Sequence, residues 1–435
     1  MSNMGDRRAI GFWGCWSLVV GSMIGSGVFT LPTVLAPYGL MSFFGWIVTS
    51  VGAVLVALCL ARLAGRTLKS GGTYQYARTA FGDLVGFLVA WGYVVALIAA
   101  AAAIAVSFVG YLAVFIPALN DAPLLQAGAG VGLIALIVLN NMMGVAEARR
   151  LQVVLTLAKL GPLMAIIALS LVAGDPANTP DLNPKGTPGI PTMAAVALLT
   201  MWAFLGLEAG VIPAEDVENP TSTIPKALIA GVLTTALVYI AATAAVMLLV
   251  PAEELARSSS PFSDAAARLG GWGPTMIAAG ALVATAGALN GVIFGAGQTA
   301  MATARDGLAP AIIGKRNKGH APYVALGLVF IASTVLLATN FSKGFVDAFT
   351  FLLVMSTLTT LAPYLVSALA ELKASWRSAP AWGAVALIAA IYSAFAIAGA
   401  GGEALVWGAV LVAFGVPVFY LGRARGGGSR YRDEA

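Results

Sequence analysis

The chain has 435 residues, of which 59% are hydrophobic and only 10% are charged, and its mean hydropathy is +0.90. Because ordinary soluble domains carry roughly 25% charged residues, this composition excludes a soluble globular protein and indicates one that crosses a membrane several times. The net charge of +5 and the pI near 9.2 arise from Lys and Arg between the apolar runs and in the tail, so they indicate membrane topology and not a nucleic-acid surface.

Twelve apolar runs approach the roughly 20 residues that cross a bilayer as a helix. They lie at about 10–37, 41–63, 81–116, 124–143, 151–173, 192–213, 227–250, 274–303, 322–340, 345–369, 382–399 and 404–421. The expected fold class is therefore an all-α membrane protein with twelve transmembrane helices, which form a single transmembrane domain over residues 1–435.

The first and sixth runs are each interrupted near the middle, at Gly21–Phe29 and at Thr200–Gly210. An unwound turn at membrane depth persists only where it lines a cavity or is buried in protein, because unsatisfied backbone groups are costly in hydrocarbon. Two broken helices at matching places are typical of secondary transporters built from inverted repeats. We therefore expect a 5+5 inverted repeat over about 10–173 and 192–369, two further helices over about 382–421, and a cytoplasmic basic tail at 422–435.

Both termini are expected in the cytoplasm, because cytoplasmic loops carry an excess of Lys and Arg. Of the 24 Lys and Arg residues, 19 then lie in the cytoplasm and Lys159 lies inside the fifth run; the remaining four, on the outer side, are Lys185, Arg257, Arg268 and Lys343. The first run is too long for a cleavable signal peptide and is expected to be a transmembrane helix. The polar stretch Pro251–Leu269 is expected to form a short helix on the outer face.

The two breaks predict a site for a zwitterion. Breaking the first helix at Gly25, Ser26 and Gly27 exposes backbone amides, and the dipole of the following half-helix favours an anion such as a carboxylate there. In the sixth helix a half-helix ends at the carbonyls of Trp202, Ala203 and Leu205, where the opposite dipole sign suits an ammonium group. An α-amino acid carries both groups, whereas a diamine would use the cation end alone.

Several side chains near the breaks have more than one interpretation. In the third run, Ala96, Leu97, Ala101 and Ile104 form either an apolar wall of the substrate cavity or a close contact between helices. Trp202 either packs in the interior or acts as a gate or cation-π surface over the ligand.

Glu208 and Lys159 are the only acidic and basic residues that the topology places inside helix cores. An ionisable group inside a membrane is costly and marks a functional-site candidate. Glu208 is either a proton-coupling or cation-recognising group or a structural acid bound by backbone amides at the break. Lys159 is either a fixed cation in place of a bound ion, a tether of the fifth helix, a proton carrier or an inert residue.

The sequence contains no Ser/His/Asp set, HExxH, P-loop or CxxC pair, so neither an enzyme, a cofactor nor a metal site is expected. Cys15 and Cys59 lack metal or redox spacing and are expected to be packing residues. The single histidine, His320, is expected to be solvated in a loop.

Five short motifs resemble those of the amino acid-polyamine-organocation superfamily of permeases. They are Gly25-Ser-Gly-Val-Phe29, Gly71-Gly-Thr-Tyr74, Glu218-Asn-Pro220, Ile224-Pro-Lys-Ala227 and Arg305-Asp-Gly-Leu308. Within this superfamily the chain most resembles the bacterial basic amino acid/polyamine antiporters, among them the arginine/agmatine antiporter.

The resemblance implies roles for particular residues. Positions matching Ser26 and Gly27 bind the substrate carboxylate, and carbonyls matching Met23, Trp202 and Leu205 bind the amine. The tryptophan packs on the substrate, and the position matching Glu208 confers pH dependence. The resemblance also places four residues around the transport pathway, namely Tyr93, Phe349, Ser356 and Tyr364.

The chain departs from the arginine exchanger at three positions of the wall. Leu97 and Ala101 stand where that exchanger has polar contacts to the guanidinium end, and Val292 stands where it has a tryptophan. Arginine specificity is therefore not expected, and a smaller or more apolar amino acid fits these positions. Lys159 matches a lysine found at the sodium-site position in sodium-independent members, which argues against sodium coupling.

These observations predict an amino acid or polyamine transporter of the bacterial inner membrane, which works by alternating access as an exchanger or a proton-linked permease. The expected partners are the small-molecule substrate and the lipid bilayer, with a homodimer left open. The alternative hypothesis is a transporter-like sensor or a channel without coupled transport, which would share the topology.

Overall fold

The computed structural model describes residues 10–25, 27–66, 72–143, 160–184, 186, 189–210, 217–340 and 344–425. Within these ranges the regular structure is helical, apart from one isolated parallel bridge between Ile10 and Val217. In chain order the α-helices are α1 (Phe12–Met23), α2 (Gly27–Leu35), α3 (Met41–Arg66), α4 (Thr73–Phe81), α5 (Asp83–Leu112), α6 (Pro123–Met143), α7 (Leu160–Ala173), α8 (Gly189–Met201), α9 (Pro220–Leu249), α10 (Ala252–Leu255), α11 (Pro261–Ala265), α12 (Gly273–Arg305), α13 (Tyr323–Asn340), α14 (Phe345–Ser375), α15 (Pro380–Ala398), α16 (Gly402–Ala413) and α17 (Gly415–Arg425).

Ten helices in the described part of the chain are long and apolar enough to cross a membrane. The bent pair of α1 and α2 would be an eleventh span, and α7 is a shorter apolar helix of 14 residues. The chain is therefore an all-helical, multi-pass membrane protein. Residues 151–159, the first part of the predicted fifth span, lie outside the described residues.

Small polar residues inside the spans bond to their own helices. The hydroxyls of Thr200, Thr285, Ser333 and Thr357 each donate to the carbonyl oxygen four residues earlier, at 2.7 to 2.9 Å. Because lipid offers no hydrogen-bond partner, this local bonding explains how apolar helices accommodate these hydroxyls. Cys15 and Cys59 are buried and not disulfide-bonded, as their prediction as packing residues requires.

The centre of the bundle is α5, which packs along both α12 and α14. Its alanine-rich stretch from Ala99 to Ala105 is buried throughout, so the neighbouring backbones approach closely, as small residues permit in membrane helices. Gly110 continues this contact, since a Cβ added there would lie 2.5 Å from the Phe345 ring of α14. The helix-packing interpretation therefore holds for most of this stretch.

Pro251–Leu269 differs from the single surface helix predicted for it. It folds into α10, α11 and a 3-10 turn at Ala266–Leu269, and Phe262 is fully buried, 5.3 Å from Phe29 of α2 between ring centroids. The Thr33 hydroxyl of α2 also donates to the Ser258 carbonyl at 3.0 Å. We call this stretch the 251–269 segment; it packs into the bundle because its aromatic and aliphatic side chains cover α2.

The 251–269 segment and Asp306 lie at opposite ends of α12. This helix has 33 residues, and at a rise of about 1.5 Å per residue it is roughly 50 Å long. The two ends of the molecule are named below by these two features.

Candidate functional site

The first helix of the chain is broken between α1 and α2. The two parts, Phe12–Met23 and Gly27–Tyr38, differ in direction by 49°. The backbone of Ile24 is extended between them. The Tyr239 hydroxyl of α9 donates to the carbonyl of Met23 at 2.5 Å, so a side chain satisfies a carbonyl at the break, as an interruption inside a membrane requires. Ser26 lies outside the described residues.

The second interruption follows α8. A 3-10 turn at Trp202–Phe204 is followed by Leu205 in an extended conformation, and a second 3-10 turn covers Leu207–Gly210. Between them Gly206 has φ of +98°, a left-handed conformation that glycine adopts without a steric penalty. A Cβ at Gly206 would also lie 3.1 Å from the backbone oxygen of Ser22. The position thus favours glycine for two reasons.

The two interruptions touch each other. The Ser22 hydroxyl donates to the carbonyl of Gly206 at 2.9 Å. On the other side of the break, a Cβ added to Gly27 would lie 2.6 Å from Cδ1 and Nε1 of Trp202, so the absence of a side chain lets the indole lie against the backbone. A Cβ on Gly25 would lie 3.2 Å from Cβ of Ala288, which brings α12 to the same point. We call this region the crossing.

The carboxylate of Glu208 is bound by two tyrosines at the crossing. Tyr93 of α5 donates its hydroxyl to Oε1, and Tyr364 of α14 donates to Oε2 at 2.5 Å. Short bonds are typical of hydroxyls that donate to a charged oxygen. Glu208 itself is 5% exposed. The sequence indicated these three residues separately; the structure joins them into one hydrogen-bonded group that links three helices.

One wall of the crossing is formed by α5 and α12. Leu97 lies on the same face of α5 as Tyr93 and Ala101, because residues four apart share a helix face. Its Cδ1 lies 3.5 Å from a Cβ added to Gly295 of α12. Val292 lies on the α12 face between Ala288 and Gly295, three and four residues from each. Leu97 and Val292 are partly exposed although this face contacts other helices, and Ala101 is fully buried.

The remaining predicted site residues are buried near this wall. The Ser356 hydroxyl of α14 donates to the carbonyl of Ala96 at 2.8 Å, which ties α14 to α5. Phe349 is fully buried two turns earlier, on the same face of α14 as Ser356. Ala203 is buried, with its Cα 3.8 Å from a Cβ added to Gly27. Lys159 lies outside the described residues.

A second buried carboxylate corrects the prediction that Glu208 is the only acid in a helix core. Glu371 of α14 has a fully buried side chain, with Arg62 Nε 2.8 Å from Oε1 and Arg66 Nη1 3.0 Å from Oε2. Ser375 donates to it as well, and the Arg62 guanidinium lies 4.4 Å from the ring centroid of Trp382, a cation-π distance. Arg62 and Arg66, one turn apart in a span, are the sequence signal that indicates a counter-charge.

A polar group that we call the Asp306 cluster lies at the end of α12. Oδ2 of Asp306 accepts from the Tyr74 hydroxyl at 3.2 Å and from Nε2 of Gln75 at 2.6 Å, and Arg78 lies 3.4 Å away. Burial and then the Asp306 carboxylate raise the pKa of Tyr74 to about 12, so its hydroxyl remains a donor at neutral pH. Arg78 also pairs with Asp83 at 2.7 Å. Sequence analysis identified these motifs by resemblance only and missed their contact.

The crossing has the chemistry of a binding site. It combines backbone groups at two helix interruptions with an apolar wall and one carboxylate. Within the described residues, no group of three His, Cys, Asp or Glu side chains is arranged to hold a metal ion. A multi-pass helical protein whose interrupted helices meet in its interior has the architecture of a membrane permease.

Comparison with known proteins identifies the family. The amino acid permease family matches residues 10–421, so the chain belongs to this family and, through it, to the amino acid-polyamine-organocation superfamily. The superfamily resemblance is therefore confirmed.

Three relatives align over most of their length. The chain is 30% identical over 409 residues to the putrescine transporter PotE of Haemophilus influenzae, with 92% of this chain and 93% of the relative covered. It is 29% identical over 414 residues to the putrescine transporter PotE of Escherichia coli, with 93% and 94% covered. It is 30% identical over 377 residues to the cadaverine/lysine antiporter of Escherichia coli, with 84% and 83% covered. These relatives are transporters and not enzymes, and the same holds for this chain.

Proposed function

We propose that the chain exchanges amino acids or polyamines across the bacterial inner membrane by alternating access. The observation that supports this most directly is the hydrogen bond from Ser22 to Gly206, which joins the two interrupted helices inside the bundle. Amides at Gly25, Ser26 and Gly27 bind the substrate carboxylate. Carbonyls of Met23, Trp202 and Leu205 take its ammonium group, with the indole of Trp202 over the ligand. The wall is formed by Ala96, Leu97, Ala101, Val292, Ala203 and Ser356.

The proposed topology has twelve spans in one domain, with both termini in the cytoplasm. Counting the pair α1–α2 and the short α7 as one span each adds two to the ten long helices. The first repeat then covers about 10–173 and the second about 192–369, so the two interrupted helices hold equivalent places. The Asp306 end is the cytoplasmic end in this topology, and the 251–269 segment faces outward.

Glu208 is proposed as the group that links protonation to conformational change. Its two hydroxyl partners come from α5 and α14, so a change of charge on the carboxylate alters the contact between three helices at once. Phe349 lies on α14 next to this group, in the part of the helix that would move. Lys159 supplies a fixed cation in place of a sodium ion, which leaves protons or a second substrate as the coupled species.

The described conformation is closed toward the 251–269 segment. All nine residues of α2 are buried, and the Tyr111 hydroxyl donates to the carbonyl of Phe29 at 2.6 Å beneath Phe262. By contrast, Ser22 is exposed on α1, and Leu205 is partly exposed beside it. The crossing is therefore more accessible from the Asp306 end, which in the proposed topology is an inward-facing arrangement.

Counterflow in liposomes tests the proposed function. The purified chain is reconstituted in vesicles that contain one unlabelled substrate, and uptake of the labelled substrate is followed for a panel of amino acids and polyamines. Exchange requires saturable uptake that depends on the internal substrate and is lost in Ser26→Trp and Trp202→Leu. Leu328→Trp, at a half-exposed position of α13, is the control that retains uptake. Uptake without saturation or counterflow would indicate a channel, and binding without uptake a sensor.

A further inference from the structure

The wall of the crossing that faces the substrate side chain is apolar. Leu97 and Gly295 meet at 3.5 Å between α5 and α12, and Val292 lies on the same face of α12. All three are partly exposed, whereas the neighbouring Ala101 is fully buried. A ligand held by its carboxylate and ammonium groups at the two breaks therefore directs its side chain against aliphatic groups.

The polar side chains around the crossing are bonded to the protein itself. The hydroxyl of Ser356 is bonded to the Ala96 carbonyl, that of Tyr239 to the Met23 carbonyl, and that of Ser22 to the Gly206 carbonyl. Both carboxylate oxygens of Glu208 accept from tyrosine hydroxyls, and this side chain is almost fully buried. These groups stabilise the breaks and leave the wall to the apolar side chains.

Other carboxylates of the described wall helices are distant from it. On α5 the acidic residue is Asp83, 14 residues before Leu97, and after α12 it is Asp306, 14 residues beyond Val292. At about 1.5 Å per residue, each lies roughly 21 Å along the helix axis from the wall. A second positive charge on the substrate would therefore have no counter-charge on this side of the site.

We propose that the site takes neutral amino acids with short aliphatic side chains and excludes diamines and cationic amino acids. This inference rests on the proposed function, because it assumes that the crossing binds the transported substrate. It separates this chain from the relatives named for putrescine and for cadaverine and lysine. The physical reason is that an ammonium group buried against Leu97 and Val292 loses its hydration without gaining an ionic partner.

The wild-type chain provides the first test. Proteoliposomes containing unlabelled L-alanine, L-valine, L-lysine, putrescine or cadaverine are each assayed for counterflow of the same labelled compound at equal, subsaturating concentration. We expect L-alanine and L-valine to exchange faster than the three cationic compounds by on the order of a hundredfold, the factor that corresponds to burying one charge at the middle of a bilayer.

A matched pair of variants tests the wall itself. Val292→Asp places a carboxylate on the wall, and Val292→Asn places a neutral group of nearly the same size there. We expect Val292→Asp to gain at least about tenfold in counterflow of L-lysine and putrescine over wild type, and Val292→Asn to show no such gain. Leu97→Asp, on the facing helix, repeats the test if Val292→Asp is not recovered as a folded protein.

The outcomes separate the two proposals. Counterflow of L-lysine, putrescine or cadaverine by the wild type at rates similar to those of L-alanine and L-valine would overturn the substrate class but leave exchange intact. Counterflow of cationic compounds alone would do the same. Absence of counterflow with every amino acid and polyamine tried would overturn the proposed function itself. An equal gain of cation transport in Val292→Asn and Val292→Asp would show that pocket polarity, and not charge, sets the selectivity, and would overturn the inference.

Discussion

The two buried carboxylates differ in the charge of their partners. Glu208 is bound by neutral hydroxyls of Tyr93 and Tyr364, whereas Glu371 is bound by the guanidinium groups of Arg62 and Arg66. Protonation of Glu208 would leave no unpaired charge behind, but protonation of Glu371 would leave two cations without a counter-ion. At the scale of single residues, Glu208 is thus suited to a change of state and Glu371 to a fixed contact.

The first prediction concerns Glu208→Gln. This change keeps the size of the side chain but removes its ionisation, so we expect the pH dependence of counterflow to flatten. Glutamine accepts through only one oxygen, so one tyrosine hydroxyl also loses its partner and the maximal rate falls. Initial counterflow rates between pH 5 and 8, the range in which most pH-sensitive proteins respond, measure both effects. Tyr93→Phe is the control, since it removes one hydrogen bond but keeps the carboxylate; a pH profile of Glu208→Gln equal to that of wild type would remove Glu208 from coupling.

The second prediction concerns Glu371→Gln. Removing one partner of a buried ion pair costs about 3 to 5 kcal/mol, and because Arg62 and Arg66 are partly exposed we expect the lower part of that range. The melting temperature of the purified protein in detergent should therefore fall clearly. Glu403→Gln, at an exposed position of α16, should leave it unchanged. A Glu371→Gln protein that melts with the wild type would show that the network adds no net stability.

Sequence alone predicted Glu208 but not Glu371, and the reason is local. Glu208 interrupts an apolar run, so its burial follows from its position in a span. Glu371 follows the last residue of the predicted tenth span at 369, whereas α14 continues to Ser375. The helix is extended by contacts with Arg62 and Arg66, more than 300 residues earlier in the chain, and hydropathy carries no information about such pairs.

At the scale of helices, the interruptions were predictable and their mutual contact was not. Glycine and an ionisable residue within apolar runs indicated breaks at Gly21–Phe29 and Thr200–Gly210, and the structure interrupts both helices within these ranges. The sequence indicated the glycines as places of close approach but not that the Trp202 indole lies against Gly27, since that depends on how distant helices cross. The 251–269 segment was likewise too polar to span, but its burial is decided by tertiary packing.

The third prediction tests the close contact between the two interrupted helices. In Gly27→Ala the new methyl group would lie 2.6 Å from the Trp202 ring, so the indole has to move. Overpacking of this kind typically costs about 1 to 3 kcal/mol, and we expect counterflow to fall by at least about tenfold as the two breaks separate.

Gly128→Ala is the matched control for this prediction. It lies in α6, and a Cβ added there meets no atom within 4 Å, so transport should be retained. The same loss of counterflow in both variants would show that Gly27→Ala acts through general stability. Unchanged counterflow in Gly27→Ala would show that the indole position is not required.

At the scale of the whole molecule, the two ends of α12 are held by different kinds of contact. The 251–269 end is closed by aromatic packing of Phe262 on Phe29, while the Asp306 end is held by hydrogen bonds and an ion pair to α4. The composition predicted a multi-pass membrane protein, which the structure confirms. Which surfaces close each end was not predictable, because the Gly71-Gly-Thr-Tyr74 and Arg305-Asp-Gly-Leu308 motifs lie more than 200 residues apart.

The fourth prediction concerns the Asp306 cluster as a closure of its end of the molecule. In Asp306→Asn the remaining oxygen is neutral, so Arg78 loses one of its two carboxylate partners and keeps Asp83. We expect α4 and α12 to separate more often, with a shift in population toward conformations open at this end. A population shift of about 1 kcal/mol, the scale of a single charge-assisted hydrogen bond, changes such an equilibrium by roughly fivefold.

Thiol labelling at Gln298→Cys measures that shift. Gln298 is partly exposed and lies one turn beyond Gly295 on the same face of α12, so its accessibility reports the route from the crossing to the Asp306 end. The native Cys15 and Cys59 are buried and give a low background. We expect a membrane-impermeant thiol reagent to label Gln298→Cys several times faster when Asp306→Asn is added. Asp121→Asn, at an exposed position between α5 and α6, should not change the rate. Equal or slower labelling in Asp306→Asn would show that the contact between α4 and Asp306 does not hold this end closed, and that the barrier lies nearer to the crossing, at Tyr93, Glu208 and Tyr364.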